Sequence, residues 1–401
     1  MECIEQDPHP LVFKLADPEK LPLKAPNTGK RMHYRTATRA LAGMQKEALV
    51  FDGRNNECWR LFCDEGPWLN GSDLAPFPLG FFSAGLAASY QSEFLSHARQ
   101  ANIEVRQLQV MVDNFYTMEG SLMRGTMTGS ALPVEVTFAA DTNASSEDHQ
   151  RLAHLAVASS PADAYLRNAV DSLFSLNHNS KARPVADVAA SSVPAQAAPD
   201  ALFPMSTPGT GTFAGDILER LDAEDSLGGE QLGTERSSVV GLSDNQKRQV
   251  HVRAVGRLRE DGLKELKVAC FQPIGSVFQL LSDDSQAAGG QGRAPSGLAL
   301  LSAGISFCFM TQLGRYAHVA KHDMQSYQII QDTSFSQPTA VSPAREAATS
   351  AAVDTQVFIA NKQDAQDTQT LLRMGEQTCY LHAACRSALK TRIKLGPVNT
   401  A

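Results

Sequence analysis

Residues 302–317 read SAGISFCFMTQLGRYA, a mostly apolar run that carries a single cysteine, Cys308, in its middle. The tripeptide SAG that opens this run occurs again at residues 83–85, which lie 219 positions earlier. A helix with apolar residues on all sides is typical of the core of a protein. We therefore predict two buried core helices, at about residues 79–98 and 298–317, and the apolar run of the second is too short to span a bilayer.

The offset of 219 relates the two halves of the chain well beyond the SAG tripeptide. It holds without a gap over about a hundred residues, although the identical positions are sparse. A long ungapped self-match is the signature of an internal repeat. We therefore interpret the chain as two copies of one domain. The matched pairs include Ala75 and Ala294, Ala98 and Ala317, Asp113 and Asp332, Asp148 and Asp367, and Arg167 and Arg386.

Composition predicts where the two copies end. Residues 179–236 are rich in Pro, Ala, Ser and Gly and show little periodicity, so we predict a flexible linker there, with one short helix at residues 216–223. The two copies then occupy residues 25–178 and 237–400. Each copy begins with strand-like alternation, passes through a Gly/Pro loop into the apolar helix, and ends with strands around a second helix. This order predicts an α+β fold rather than a doubly wound sheet.

Composition and charge disfavour several classes of protein. The 401 residues are 43% hydrophobic and 20% charged, as in ordinary globular proteins. A net charge of -7 without a basic stripe disfavours nucleic-acid binding. The first ten residues, MECIEQDPHP, lack the basic and apolar regions of a secretory signal, and no run predicts a membrane span. Seven scattered cysteines, an odd count, are typical of the reducing cytoplasm, where we expect this protein.

Two cysteine-bearing motifs carry a resemblance to a known family. The stretch LLSAGISFCFMTQ at residues 300–312 places Cys308 in an apolar helix after a Pro-containing loop, and CYLH at residues 379–382 places Cys379 at the head of a later helix. In this arrangement copy two resembles the OsmC/Ohr family of organic hydroperoxide reductases. The resemblance implies an intertwined fold in which sheets wrap central helices. Two copies in one chain then imply an intramolecular pseudo-dimer.

The resemblance also implies roles for the two cysteines. Cys308 corresponds to the peroxidatic residue, which attacks the peroxide as a thiolate, and Cys379 to the resolving residue, which closes a disulfide on the resulting sulfenic acid. At the offset of 219 these positions are Ser89 and Ser160 in copy one, where no His/Asp arrangement suggests a serine nucleophile. We therefore expect one competent site in each chain.

A buried thiolate needs a nearby cation, which the family supplies as an arginine from the opening strands. Arg257 is the nearest candidate in copy two, followed by Arg253, while Arg39 or Arg35 of copy one would reach across the pseudo-dimer. The sequence leaves the choice among the four open. The glutamate that these reductases carry just after the loop proline is absent at the corresponding places in both copies.

The remaining cysteines and His382 are interpreted as structural. Cys58 and Cys63 have no second pair at zinc spacing, so no metal site is predicted, and no motif predicts a cofactor. Cys270 and Cys385 are expected to pack in the core, and His382 is expected on a helix surface.

With the resemblance, these residues predict a thiol-dependent peroxidase, an oxidoreductase of the antioxidant stress response. Its substrate would be an organic hydroperoxide, and a dithiol reductant would return the disulfide to two thiols. The competing interpretation is a non-catalytic member of the family, a binding or scaffold protein with an apolar pocket between the copies. The sequence leaves association with further chains open.

Overall fold

Two mixed β-sheets enclose two long helices, and shorter helices pack against them, so the α+β fold class is confirmed. The residues described by the computed structural model are 2–25, 31–209, 216–221, 227, 246–337 and 347–397.

The helices of the described residues fall into two sets of three. They are α1 (Pro78–Gln100), α2 (Ser146–Ser159), α3 (Pro161–Arg167), α4 (Gly297–Val319), α5 (Ala365–Thr378) and α6 (Tyr380–Arg386). The members of each pair α1 and α4, α2 and α5, and α3 and α6 have equal lengths of 23, 14 and 7 residues. Each pair is separated by the interval of 219 found in the sequence, and the predicted core helices end within two residues of α1 and α4.

The strands of the first half and the segment after it are β1 (Val12–Lys14), β2 (Met32–Ala40), β3 (Lys46–Asp52), β4 (Glu57–Cys63), β5 (Val105–Gly120), β6 (Thr128–Ala131), β7 (Glu135–Thr142), β8 (Ser172–His178), β9 (Lys181–Arg183), β10 (Ala189–Ala190) and β11 (Leu218–Leu221). Those of the second half are β12 (Gln246–Leu258), β13 (Lys264–Gln272), β14 (Ile274–Ser282), β15 (Met324–Ser336), β16 (Thr349–Ser350), β17 (Val353–Asn361) and β18 (Arg392–Leu395).

Each sheet takes strands from both halves of the sequence. The first sheet has the order β1-β4-β3-β2-β15-β17-β8-β10, with β16 beside β15 and β9 beside β8. The second has the order β11-β14-β13-β12-β5-β7-β18, with β6 beside β5. The halves meet at the antiparallel pairs β2–β15 and β12–β5 and at the parallel pairs β17–β8 and β7–β18. Each half therefore completes the sheets of the other.

The central helices α1 and α4 pack against each other between the sheets, α1 on the second sheet and α4 on the first. Their contact is close, because a Cβ atom at Gly85 would lie 2.6 Å from the Gly297 backbone oxygen. A Cβ atom at Gly304 would lie 2.6 Å from the Phe82 nitrogen. Although α4 is long and apolar enough to cross a membrane, 94% of its most apolar window is buried in the protein, as expected of a core helix.

The described residues of the segment predicted as a flexible linker form regular structure. Strands β9 and β10 extend the first sheet, and a 3-10 helix at Pro199–Met205 buries Leu202 and Phe203 on the outer face of that sheet. Residues 218–221 form β11 instead of the expected helix, because the edge of β14 offers unpaired backbone groups to an extended segment. Much of the remaining segment, including residues 222–226, lies outside the described residues. The domain boundaries stay a prediction.

Candidate active site

Cys308 and Cys379 lie in contact between the central helix α4 and the junction of α5 with α6. Cys308 is in the middle of α4, and Cys379 is the single residue that separates α5 from α6. The Cys379 thiol donates a hydrogen bond to Cys308 Sγ at 3.5 Å. Both residues are buried, with 2% and 0% of their surfaces exposed. Because a disulfide joins sulfurs about 2 Å apart, the pair would close after a movement of about 1.5 Å.

The surroundings of the Cys379 thiol favour its protonated form. Burial raises the pKa of the Cys379 thiol well above its ordinary value, and the hydrogen bond to Cys308 and the charge of that sulfur add to the shift. The backbone N–H groups of His382 and Leu381 act in the opposite direction without cancelling it. Cys379 is therefore a protonated donor at neutral pH, and Cys308 is the acceptor of the pair.

A cleft of about 370 Å³, part of it open to solvent, reaches Cys308. Its polar lining comes from the side chains of Glu65, Thr311, Gln312 and Arg315. Its apolar and aromatic lining comes from Trp68, Leu69, Phe77, Pro78, Leu79, Val250 and Tyr380. Both halves of the sequence therefore line the cleft.

Glu65 brings a carboxyl group into the cleft from the loop that follows β4. Thr311, one helical turn after Cys308, donates a hydrogen bond from Oγ1 to Glu65 Oε1 at 2.7 Å. Burial raises the pKa of the Glu65 carboxyl, against the opposing effect of the nearby positive charges of Lys46 and Arg315. Although the family glutamate is absent at its expected place in the sequence, this carboxyl group lies beside the cysteine helix.

The loop that presents Glu65 is closed by the carboxylate of Asp64. This carboxylate accepts hydrogen bonds from the backbone nitrogens of Ser72 at 3.0 Å and Leu74 at 3.2 Å. A Cβ atom at Gly71 would lie only 1.7 Å from the Glu65 backbone oxygen. Glycine is therefore required at this position for the loop to close on itself and hold Glu65 in the cleft.

Arg315 supplies a guanidinium group to the lining of the cleft. It lies on α4 seven residues after Cys308, so both side chains project from the same face of the helix. Arg315 Nη1 donates to Gln312 Oε1 at 2.8 Å and lies 3.7 Å from Met118 Sδ. Its charge also acts on the Glu65 carboxyl. Arg315 therefore offers positive charge on the side of α4 that carries Cys308.

The structure does not bring Arg257 to the cysteine pair. Ala254 and Gly256 face the central helix α1 and the core, whereas Val255 packs in a separate cluster on the outer face of the second sheet. Successive residues of a strand point to opposite faces, so Arg257 shares the outer face with Val255. It is directed away from Cys308 and does not occupy the position expected of a thiolate partner.

The alternative arginines also lie on outer faces of the sheets, in ion pairs. Arg253 Nε donates to Asp113 Oδ1 at 2.7 Å, across the junction of β12 with β5. Arg35 Nε donates to Asp332 Oδ1 at 2.8 Å, across the junction of β2 with β15. Arg39 makes a further ion pair on the outer face of the first sheet. Arg253 and Arg35 thus join the two halves of the chain.

Three residues near the cysteines were not identified from the sequence: Glu65, Arg315 and Tyr116. Tyr116 lies on β5, and its ring centroid is 5.3 Å from that of Tyr380, the residue that follows Cys379. A signal existed for Arg315, because positions 308, 311, 312 and 315 fall on one face of a helix. Glu65 and Tyr116 reach the site from elements that are distant in the sequence.

The serines of the first half form a second, polar cluster. Ser89 Oγ lies 2.8 Å from Ser160 Oγ. Ser92 Oγ donates to Asp284 Oδ1 at 2.8 Å, which repeats the hydroxyl–carboxyl contact of the cysteine site. Lys264 Nζ lies 2.7 Å from the other oxygen of Asp284. The polar groups of this cluster thus bind one another.

His382 is fully buried, whereas the sequence suggested a helix surface. The rings of Phe174 and Phe309 pack around it, with centroids at 5.4 and 5.2 Å. Neither ring nitrogen has a hydrogen-bond partner among the described residues. Burial lowers the pKa of His382 to about 3. The imidazole is therefore neutral and packs as an apolar ring.

The other predicted structural cysteines, Cys58, Cys63, Cys270 and Cys385, are buried. The described residues contain no cluster of His, Cys, Asp and Glu that is suited to a metal ion.

Neither protein-family models nor curated proteins match this chain. One similar solved structure is an OsmC-like hydroperoxide resistance protein from Jannaschia sp. CCS1, 21% identical, covering 33% of this chain and 83% of that protein with a TM-score of 0.20. Another is an OsmC-like protein from Mycoplasma pneumoniae, 16% identical, covering 37% of this chain and 96% of that protein with a TM-score of 0.25. Structural neighbours of the chain are thus OsmC-like proteins, over about a third of its length.

Proposed function

We propose that this protein is a cysteine-dependent peroxidase that reduces organic hydroperoxides at Cys308 and Cys379. The observation that carries the proposal is the 3.5 Å contact of the two sulfurs beside a cleft that opens to solvent. The sequence resemblance to organic hydroperoxide reductases supplies the reaction class. A disulfide between these residues is the product that this contact favours.

The reaction begins with the Cys308 thiolate, which attacks the terminal oxygen of the hydroperoxide ROOH. The O–O bond breaks, Cys308 becomes a sulfenic acid, and the alkoxide takes up a proton and leaves as the alcohol. The Cys379 sulfur, after losing its proton, then attacks the sulfenic sulfur. Hydroxide leaves as the disulfide forms, and an external dithiol reduces that disulfide in the last step.

The lining of the cleft supports an organic rather than an inorganic peroxide. Trp68, Phe77 and Leu79 give it apolar surface that would bury the carbon skeleton of a substrate. The polar residues Glu65 and Arg315 lie on the α4 side of the cleft. An alkyl or aryl hydroperoxide would therefore bind with its carbon chain on the apolar wall and its peroxide group toward Cys308.

We also propose how the chain arose and in which compartment it acts. The equal helix lengths, the interval of 219 and the exchange of strands support a tandem duplication that folds as an intramolecular pseudo-dimer. We place the protein in a reducing compartment, the cytoplasm, since its seven cysteines are then kept as thiols until a peroxide arrives. The reductant would be a dithiol protein or small molecule.

Titration with cumene hydroperoxide, followed by mass spectrometry of peptides, tests the function. One equivalent should remove two thiols and yield a peptide cross-linked through Cys308 and Cys379. Cys308→Ser should abolish the reaction, and Cys379→Ser should stop it at the sulfenic acid. Cys3→Ser is the control, because Cys3 is partly exposed and is not among the residues that line the cleft. Two thiols that stay free under excess peroxide would exclude the peroxidase.

In that case the second candidate is a non-catalytic binding protein. The apolar lining of the cleft favours it, because such a pocket holds an organic ligand without chemistry. The discriminating result would be unchanged thiols together with saturable binding of an apolar dye that Trp68→Ala weakens.

A further inference from the structure

Tyr116 is a buried phenol beside the cysteine pair whose hydroxyl has no hydrogen-bond partner among the described residues. Only 2% of its surface is exposed. Its ring packs against Tyr380, and its partner residue across the β5–β12 junction is Val250, which also lines the cleft. Met118, two residues later on the same face of β5, contacts Arg315. Tyr116 therefore lies directly behind two residues that line the cleft, Val250 and Tyr380.

The two sulfurs act on this phenol electrostatically. Burial raises the pKa of the Tyr116 hydroxyl well above its ordinary value, and negative charge on Cys308 or Cys379 raises it further. The hydroxyl is therefore protonated in the resting site and is free to donate to a group that enters the cleft.

A buried hydroxyl without a partner is costly, because its lost hydrogen bonds to water are not replaced. The equivalent position shows that the fold does not need the hydroxyl, because the residue 219 positions after Tyr116 is Phe335, which is likewise buried. Of these two equivalent positions, the one in the strand beside the cysteine pair carries a hydroxyl and the other does not. This difference points to a role in the chemistry of the sulfurs rather than in packing.

The proposed reaction requires two proton transfers at the buried sulfurs. The alkoxide released from the peroxide needs a proton, and Cys379 must lose one before it can attack, yet its thiol is buried and holds its proton firmly. Both steps occur out of bulk water, at sulfurs that are 2% and 0% exposed. A group that donates a proton first and accepts one later would serve both.

Building on the proposed peroxidase function, we propose that Tyr116 relays a proton from Cys379 to the leaving alkoxide. The Tyr116 hydroxyl gives its proton to the alkoxide, which leaves as the alcohol, and becomes a phenolate. The phenolate takes the proton of the Cys379 thiol and is a phenol again. The Cys379 thiolate attacks the sulfenic sulfur of Cys308, and the hydroxide that leaves takes a proton from solvent. Apart from this solvent proton, protons and electrons balance among the two cysteines, Tyr116 and the peroxide.

Tyr116→Phe tests the relay, because it removes one hydroxyl and reproduces the ring found at position 335. Stopped-flow mixing with cumene hydroperoxide, with dimedone to trap sulfenic acid and mass spectrometry to count disulfide, resolves the two steps. We expect the disulfide step to slow at least tenfold and sulfenic acid at Cys308 to accumulate. Tyr316→Phe, a partly buried tyrosine further along α4, is the control and should match the wild type.

The pH profile separates a proton relay from a structural effect. With the relay, the disulfide step should be nearly independent of pH between 6 and 9. Without it, hydroxide must deprotonate Cys379, so the rate in Tyr116→Phe should rise about tenfold for each pH unit. Equal rates in the two proteins, or slower rates with parallel pH profiles, would overturn the relay.

Failure of the relay and failure of the peroxidase give different results. If the wild type forms no disulfide with peroxide, the proposed function falls and the relay with it. If the wild type forms the disulfide and Tyr116→Phe forms it as fast, only the relay falls. Should Tyr116→Phe not fold, the wild type in D₂O decides: a disulfide step at least twofold slower supports the relay, and equal rates overturn it.

Discussion

The Oγ atoms of Ser89 and Ser160 lie 2.8 Å apart, at the positions that correspond to Cys308 and Cys379, whose Sγ atoms lie 3.5 Å apart. In both cases one residue is in a 23-residue central helix and the other joins a 14-residue helix to a 7-residue helix. The backbone that brings two side chains together therefore occurs twice in the chain. The difference between the sites lies in the side chains.

This relationship predicts that a second disulfide site can be made. The double change Ser89→Cys and Ser160→Cys, in a chain whose native pair has been replaced by serine, should yield a disulfide on treatment with diamide. The reason is that the backbone already brings the two side chains into contact, with their Oγ atoms 2.8 Å apart. Peptide mass spectrometry measures the cross-link, and a chain that keeps both new thiols under diamide would contradict the equivalence of the two sites.

The new pair should nevertheless react slowly with peroxide. Ser96 and Phe335 stand where the native site has Arg315 and Tyr116, so the new thiols would lack the counterparts of these two side chains. We expect consumption of cumene hydroperoxide at least tenfold slower than in the wild type. Equal rates would mean that a close pair of thiols is sufficient and that these neighbours contribute nothing.

Replacing Arg315 and replacing Arg257 should affect the reactivity of Cys308 differently. Helical rise puts the Cα atoms of Arg315 and Cys308 about 10 Å apart, where a unit charge contributes about 1.7 kcal/mol at an effective dielectric of 20, less after solvent screening. Arg315→Met should therefore slow alkylation of Cys308 by iodoacetamide about 3–10-fold at pH 7. Arg257→Met, on the outer face of the sheet, should leave the rate within twofold. A larger effect of Arg257→Met than of Arg315→Met would instead support Arg257, the arginine chosen from the sequence.

Because the central helices cross closely at Gly85, one added methyl group at this position should lower the free energy of unfolding. Gly85→Ala would put a Cβ atom 2.6 Å from the Gly297 oxygen and 2.7 Å from the Leu301 nitrogen, both of them backbone atoms that cannot rotate away. Overpacking of this kind costs about 1–3 kcal/mol, more than the gain of about 1 kcal/mol from replacing glycine in a helix. Urea denaturation should show a lower free energy of unfolding.

Gly80→Ala is the control for that change. It lies in the same helix, but its nearest contacts are side-chain atoms of Phe77 and Val268 at 3.3 Å, which can adjust. Its free energy of unfolding should stay within about 1 kcal/mol of the wild type. If both variants were equally stable, the close approach at Gly85 would not be a constraint on the fold.

The sequence predicted where the central helices lie better than it predicted which face of a strand is buried. The interval of 219 and the apolar runs predicted α1 and α4 to within two residues. The resemblance to the reductases paired Cys308 with Cys379, whose sulfurs are in contact. Arg257 faces away from Cys308 because Arg253, Val255 and Arg257 alternate with residues of the other face, and which face is buried depends on the sheet's partners. The alternation of residues along a strand does not show which of the two faces is buried.

The rest of the site could not be predicted from local pattern. Glu65 comes from a loop after β4, and Tyr116 comes from β5, a strand that pairs with the second half of the chain. Their approach to α4 is a result of the exchange of strands between halves, which no spacing in the sequence shows. The linker was misjudged for a similar reason, because its Leu202 and Phe203 are buried only once the first sheet exists.

His382 makes the protein less stable in acid, in a way that one substitution should remove. Burial lowers its pKa from 6.5 to about 3, so between these values the unfolded chain binds a proton that the folded chain does not. The free energy of unfolding therefore falls as pH decreases below 6.5, by up to about 1.4 kcal/mol per unit from this residue. His382→Leu should flatten that slope and add about 1 kcal/mol at pH 7, since no buried nitrogen is then left without a partner. Urea denaturation at pH 7, 6 and 5 measures both effects, with the exposed His154→Gln as control, and slopes that coincide in wild type and His382→Leu would show that the imidazole is not buried as described.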